Sequence, residues 1–306
     1  MRIFLTGASG FVGSFFLKNI LSSGVHEVAV LLRTPVSALR IDDLLSDTKI
    51  IEGNLSNQSS FEAKVKNFEP EAFVHLAWNG VMGSDRNALF QWRNVTETLE
   101  LVELASRVGA KHWIGLGSQA EYGPCQNKID ETKNTRPTTL YGVSKLAACT
   151  LSERLCQELG LRHAWLRLFS SYGPDDNSDW LIPYLINSLL ARQNPNLTNA
   201  EQLWDYIYIE DVASAIKAVL ENDEATGIFN LGSGRALSLR IMIEKIRDLI
   251  DRELPLGFGE VPYRSDQVMH LEADIARLKS FTGWSPKFDF DVGIKKTVDW
   301  YSIHKS

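Results

Sequence analysis

Gly7, Gly10 and Gly13 follow directly on the apolar run Ile3-Phe4-Leu5, in the stretch Met1-Arg-Ile-Phe-Leu-Thr-Gly-Ala-Ser-Gly-Phe-Val-Gly13. This spacing predicts a strand, a tight turn and a helix. Residues without side chains let the backbone turn sharply, approach a pyrophosphate closely and pack helix against strand. The helix N-terminus then presents free N–H groups and the positive end of its dipole to a phosphate. Three glycines alone also describe an ordinary turn. Here Val12, Phe15, Phe16 and Ile20 mark one face of the following helix, and Gly24 stands where that helix would stop. Strand, turn and helix together point to a nucleotide site.

A chain of 306 residues with 44% hydrophobic content can bury a full core, as one large α/β domain or as a large domain with a smaller partner. The net charge is −6 and no long Lys/Arg run occurs, which argues against nucleic acid or an anionic membrane as partner. No apolar run in the sequence approaches membrane-spanning length. The first strand begins so early that no signal peptide is expected. Cys125, Cys149 and Cys156 are odd in number and lack a metal spacing, so reduced thiols in a cytoplasmic protein are expected. His75 and His112 lie in apolar runs and read as packed rather than ligating. Asn94-Val-Thr96 fits a glycosylation pattern that a cytoplasmic protein would not use.

Short β-rich runs alternate with amphipathic helical stretches through the first half. Glu27–Leu32, Lys49–Glu52, Ala72–Ala77, His112–Gly117 and Ala164–Leu168 read as strands, with the apolar character of a parallel sheet buried on both faces. Asn94–Val108 and Tyr141–Leu159 read as long helices. This alternation predicts an α/β fold, a doubly wound parallel sheet with right-handed crossovers. After Tyr172-Gly173-Pro174 the pattern becomes irregular, with shorter helices at Trp180–Ala191, Asp211–Leu220 and Ser238–Ile250. Residues 1–171 are therefore expected to form the nucleotide-binding domain. Residues 172–306 are expected to form a smaller substrate lobe whose segments interleave with it.

Tyr141-Gly-Val-Ser-Lys145 opens a predicted helix, and its i, i+4 spacing puts Tyr141 and Lys145 on one face. An ammonium nearby stabilises a phenolate and is expected to lower the Tyr141 pKa toward working pH. Such a tyrosine can give a proton to a carbonyl oxygen or take one from an alcohol. Upstream, Ser118 falls at the carboxyl end of the strand from His112, where open α/β sheets bind ligands. Its hydroxyl is placed to reach the same substrate oxygen. The bland readings are a surface helix and a turn-capping serine; the position of both motifs downstream of a glycine-turn βαβ unit favours chemistry.

With these residues in hand, the chain resembles the extended short-chain dehydrogenase/reductase superfamily, in its nucleotide-sugar epimerase/dehydratase branch, over nearly all its length. Thr6-Gly7-x-x-Gly10-x-x-Gly13 resembles the family's cofactor turn, His75-Leu76-Ala77 its fourth-strand motif, Asn94 its helix asparagine, and Ser118, Tyr141 and Lys145 its catalytic triad. Leu166-Arg-Leu-Phe169, Tyr172-Gly-Pro174, Trp204-Asp-Tyr-Ile-Tyr-Ile-Glu-Asp211, Phe229-Asn-Leu-Gly-Ser-Gly234 and Tyr263-Arg264 resemble later landmarks. The resemblance implies a Rossmann domain whose cofactor contacts include Gly7, Ser9, Gly10, Phe11 and Val12 at the turn and Leu76, Ala77 and Trp78 after the fourth strand. Arg33, Asn54, Leu55, Asn94, Gly117, Tyr141, Lys145 and Phe169 complete that set. It implies substrate contacts from Asn79, Ser118, Gln119, Ser170, Trp204, Tyr263 and Arg264. It also implies a homodimer through the two long helices.

Departures from the family pattern narrow the reading. Dehydratases of the family carry Asp-Glu directly after the residue matching Ser118; this chain has Gln119-Ala120, neither of which can cycle a proton. Glu121 comes one position too late and reads as a solvated loop charge. Ser170 stands where the family often has asparagine, and Trp204 where it has arginine. NAD-selective members end the second strand in an acid that binds the ribose hydroxyls; here Leu32 and Arg33 occupy that end. A guanidinium suits a 2′-phosphate, with Arg40 expected to add to it, so NADP(H) is the expected cofactor and NAD the alternative. The run Trp78-Asn79-Gly80, the phrase Gly117-Ser-Gln-Ala-Glu-Tyr-Gly123 and the segment from Pro262 to Met269 resemble 4-ketoreductases of deoxysugar and O-antigen pathways. The expected activity is therefore reduction of a nucleotide-linked 4-keto-6-deoxy sugar. A nucleotide-sugar 4-epimerase with tightly held NAD is the nearest rival, and a catalytically silent NADP-sensing protein a third reading.

Overall fold

The computed structural model describes residues 1–34, 39–263 and 267–304. Strand β1 (Arg2–Thr6) runs through the glycine turn into α1 (Phe11–Leu21). Next come β2 (Glu27–Leu32), β3 (Lys49–Glu52), α2 (Glu62–Phe68), β4 (Ala72–His75), α3 (Gln91–Arg107), β5 (His112–Ser118), α4 (Leu140–Leu159) and β6 (Arg162–Leu168). The second half adds β7 (Ser170–Tyr172), α5 (Leu181–Leu190), β8 (Asn196–Leu197), β9 (Leu203–Trp204), β10 (Tyr206–Tyr208), α6 (Ile209–Leu220) and β11 (Gly227–Leu231). It closes with β12 (Leu237–Ser238), α7 (Leu239–Ile250), β13 (Gly257–Phe258), β14 (His270–Leu271), α8 (Ala276–Thr282) and α9 (Phe290–Ile303).

Seven strands form one parallel sheet in the order β11-β6-β5-β4-β1-β2-β3. Alternation of side chains along each strand sends neighbours to opposite layers. Ile3 and Leu5 join the core that faces α1 and α6, with Val28, Val30, Val74 and Ile114. Phe4 between them joins the opposite core with Phe61, Phe73, Leu101 and Trp113. Both layers are apolar, which explains the unbroken apolar runs in the sequence and bears out the doubly wound α/β fold.

The chain reverses its direction of sheet growth between β1 and β4. In open α/β sheets the ligand crevice lies beyond the carboxyl ends of the strands at such a point. β4 ends at His75, two residues before the sequence predicts. The Leu76 N–H donates to Thr6 O at 3.1 Å, and the chain then leaves the sheet across the glycine turn. The strand β11 lies in a stretch with no predicted strand, yet it pairs with β6 from Ala164 to Leu168. The second half thus returns to the main sheet. Outside it, β9 lies between β12 and β14, β8 pairs with β13, and β7 pairs with β10. Side chains of α5, α7 and α9, such as Leu185, Ile243 and Ile294, belong to the same apolar cluster as Ile3 and Leu5. Among the described residues, no helix is long and apolar enough to cross a membrane.

Candidate active site

Gly7 has φ +80°, and a Cβ there would stand 2.6 Å from the backbone nitrogen of Ala77. The turn after β1 lies against the exit of β4 only because position 7 has no side chain. A Cβ at Gly13 would stand 2.0 Å from the Gly7 carbonyl oxygen, so that position sets the seat of α1 on the turn. No side chain caps the start of α1 at Gly10, and its first turn holds no acidic residue. The N–H groups there remain available to an outside anion. A cleft of about 230 Å³ opens along the turn, walled by Gly7, Ser9 and Gly10 and by Leu76, Ala77, Trp78 and Asn79. Arg33, Asn54 and Leu55 line its far end, and Asn94 its side. Phe11 and Val12 begin α1 beside it. These features fit the pyrophosphate and one nucleoside of a dinucleotide.

Leu32 is buried at the end of β2 and Arg33 is exposed next to it. Arg33 takes no hydrogen bond or ion pair with another described residue. Arg40 Nε lies 3.0 Å from both the carbonyl oxygen and Oδ2 of Asp175, in the loop after β7.

Ser118 ends β5, and Tyr141 and Lys145 lie in the first turns of α4, whose Thr139 cap accepts from Gly142 N at 3.1 Å. All three side chains are buried. Burial holds the Tyr141 phenol above its ordinary range, against the opposing effects of the nearby Ser118 hydroxyl and the Arg86 guanidinium. The expected lowering by Lys145 is not what the structure has. Lys145 Nζ donates to Leu116 O at 2.5 Å and lies 3.9 Å from the Trp78 ring centre. Burial brings its own pKa down to about 7, with the nearby Glu121 charge opposing. Trp78 meets the Tyr141 ring edge-on from one side, and Arg86 lies 4.5 Å from the ring centre.

Glu121 is not the solvated charge that its loop position suggests; it is fully buried. Its Oε1 accepts from Ser118 N at 2.8 Å and Trp165 Nε1 at 3.0 Å, and its Oε2 accepts from Arg167 Nε at 2.7 Å. Removing one partner of such a pair leaves a lone buried charge, at a cost of about 3–5 kcal/mol. Gly117 makes room for this cluster: a Cβ there would lie 2.1 Å from Trp165 Nε1 and 2.4 Å from Glu121 Oε1. Its lack of a side chain is thus first a packing requirement of the strand. Tyr122, under the Arg167 guanidinium, bonds to Asn230 Oδ1 at 2.7 Å, and burial pushes its phenol up to about 12.

The loop after β4 is held by the start of α3. Asn94 Oδ1 accepts from Asn79 N at 2.9 Å and its Nδ2 donates to Asn79 O at 3.1 Å. These bonds bury the amide, so it cannot serve as a glycosylation acceptor in the folded chain. Gln91, which sequence reasoning missed, is as important. Its Oε1 accepts from Trp78 Nε1 at 2.9 Å, and its Nε2 donates to Gly80 O at 2.6 Å and Asp85 O at 2.9 Å. Its place three residues before Asn94, one turn away on the same helical face, was the available signal. Arg86 was missed too, because no local pattern links it to Tyr141.

Trp204 Nε1 donates to Ser170 Oγ at 2.7 Å, so the two departures from the family pattern meet as one pair. The Tyr263 hydroxyl accepts from Glu201 N at 3.0 Å. Phe169 is buried in an apolar cluster with Tyr122, Ile129 and Leu271 rather than on the cleft wall. Gln119 is half-buried beside Ser118. Arg264 lies outside the described residues. His75 bonds through Nδ1 to Thr6 Oγ1 at 2.7 Å and through Nε2 to Thr98 Oγ1 at 3.1 Å, and burial lowers its pKa to about 3. It is a neutral packed histidine, and no metal-holding cluster occurs among the described residues.

A parallel sheet with a glycine turn at its reversal point, and a buried Ser-Tyr-Lys set at the neighbouring strand ends, defines an oxidoreductase-type enzyme that works with a dinucleotide. The chain belongs to the NAD dependent epimerase/dehydratase family, whose model matches residues 3–232. It is 25% identical to UDP-glucose 4-epimerase of Halalkalibacterium halodurans, over 99% of this chain and 96% of that protein. It is 26% identical to CDP-abequose synthase of Salmonella muenchen, over 97% of each. Among solved structures, dTDP-glucose 4,6-dehydratase from Bacillus anthracis in complex with NAD superposes with a TM-score of 0.87 at 20% identity, covering 100% of this chain and 97% of that one.

Proposed function

We propose that this protein reduces the C4 ketone of a nucleotide-linked 4-keto-6-deoxy sugar, with NADPH as the preferred cofactor. The observation that carries the reading is a complete Ser118–Tyr141–Lys145 set flanked by Gln119 and Ala120. The set can exchange a proton with a ketone oxygen, and the flanking pair cannot remove one from carbon. The dinucleotide, when bound, supplies the hydride. Tyr141, kept protonated by burial, gives its proton to the developing alkoxide. Ser118 orients the ketone and stabilises the oxyanion. Lys145 holds the nicotinamide ribose, and Arg86, over the ring, lends positive charge to the phenolate. Arg33, exposed at the end of β2 with Leu32 in the place of an acid, favours a 2′-phosphate and so NADPH. The Salmonella relative, whose name is that of a synthase of a nucleotide-linked sugar, supports the substrate class.

Epimerisation at C4 is the second reading. The name of the Halalkalibacterium relative and the use of the same three residues in both reactions favour it, and the NAD held by the Bacillus anthracis protein fits a tightly kept cofactor. Product NMR after incubation with NADPH and a panel of 4-keto-6-deoxy nucleotide sugars separates the two. A reduced sugar with one cofactor oxidised per turnover supports reduction; an inverted C4 alcohol with no net oxidation supports epimerisation. The segments around Tyr263 and Trp204 are proposed to hold the nucleotide sugar. Exposed Trp92 on α3 and Val143 and Leu151 on α4 support pairing of two copies through these helices.

A further inference from the structure

The reaction needs Ser118 to present its hydroxyl in one direction, and the chain around it is built to enforce that. A serine hydroxyl has one proton and two lone pairs. One lone pair of Ser118 Oγ accepts from Ala120 N at 3.1 Å. The Tyr141 phenol lies close by. With one lone pair held by Ala120 N, the serine proton is left to reach the substrate oxygen to which Tyr141 gives its own. The geometry depends on the path of the main chain at Ser118. That path is fixed by the reciprocal half of the same cap, Glu121 Oε1 on Ser118 N at 2.8 Å. Glu121 is fully buried, so it touches no substrate itself. Its carboxylate is anchored from behind by Arg167 and Trp165.

We propose that Glu121, with Arg167 as its counter-charge, is a positioning residue that acts through Ser118 by holding the serine main chain so that its hydroxyl donates toward the substrate oxygen. The inference rests on the reading that Ser118 and Tyr141 act together on a carbonyl. It gives a job to an acid that lies next to the position used by dehydratases yet faces away from the sugar. It also explains why position 117 must be glycine, since any side chain there would displace the carboxylate.

The test is a double-substitution cycle between Glu121 and Ser118. Glu121→Gln keeps an acceptor for Ser118 N and withdraws the charge. Glu121→Asp keeps the charge and withdraws the carboxylate by one methylene, and serves if the first variant folds poorly. Each should lower kcat about tenfold, with KM and dinucleotide Kd within about twofold. In a Ser118→Ala background neither should lower kcat further. Equal losses in both backgrounds would overturn the proposal, because they would mean that Glu121 acts elsewhere. A second arm needs no sugar: titration of the Tyr141 phenol by ultraviolet difference against matched Tyr141→Phe proteins. Ser118→Ala and Glu121→Asp should each move the midpoint up, and the double variant no further than Ser118→Ala alone. Arg86 over the ring and Lys145 one turn along α4 are unchanged in all of these proteins. An unmoved midpoint in Glu121→Asp would overturn the proposal even if no 4-keto sugar is turned over, while an inert wild type with the expected titrations would overturn only the functional reading.

Discussion

Tyr141 shows how far a single side chain follows from its sequence neighbours. The i, i+4 partner Lys145 is legible from spacing, and the helix that carries both is found where expected. The direction of the Tyr141 pKa is not legible, because it is set by burial and by Ser118 and Arg86, which lie far away in sequence. Removing the hydroxyl leaves a phenyl ring that still fits between Trp78 and Arg86. Tyr141→Phe is therefore expected to keep the fold and the dinucleotide affinity and to lower turnover by about 10²-fold or more, the range for loss of an acid–base group. Steady-state kinetics beside a dinucleotide titration check both halves. Arg33 belongs to the same scale. Loss of a charge-assisted contact costs about 1.5–3 kcal/mol, so Arg33→Ala should weaken NADPH and leave NADH almost unchanged. Calorimetric titration of both cofactors reads this, and equal wild-type affinities would contradict the role given to Arg33.

The start of α3 matters more than its apolar stripe suggests. Gln91 ties the Trp78 indole and the carbonyls of Gly80 and Asp85 into one half-buried cluster. Replacing it with alanine takes away the partner of the Trp78 N–H and of the Gly80 carbonyl, at about 1–3 kcal/mol. Gln91→Ala should lower the melting temperature and raise amide exchange over residues 79–87, while the sheet amides stay protected; hydrogen-exchange mass spectrometry measures this directly. The strands and long helices of the first half were legible because burial on both faces leaves long apolar runs. The edge strand β11 was not, since Gly227–Leu231 offers only five residues and its partner β6 lies about sixty residues upstream. Glu121 was misread for a related reason: a short turn after a strand reads as solvent-facing unless Arg167 and Trp165, on the next strand, are known to close over it.

At the scale of the whole molecule, the sheet buries ionisable groups as well as apolar ones. His75 has its pKa lowered to about 3, well below its ordinary value. The unfolded chain therefore takes up a proton on this residue before the folded one does. Its contribution to stability is full above pH 6.5 and declines as the pH falls toward 3. The stability difference between wild type and His75→Asn should shrink over that window and stay flat above it, in urea unfolding curves taken across pH. On the proposed reading the dinucleotide cleft and the second half of the chain serve a single net reduction. The most direct measurement supplies purified protein with NADPH and a 4-keto-6-deoxy nucleotide sugar and follows the reduced-nicotinamide absorbance. The expected result is a fall of one NADPH per sugar reduced, with free NADP⁺ released. A flat trace across nucleotide carriers, together with inversion of a C4-hydroxyl nucleotide sugar at catalytic cofactor, would contradict it.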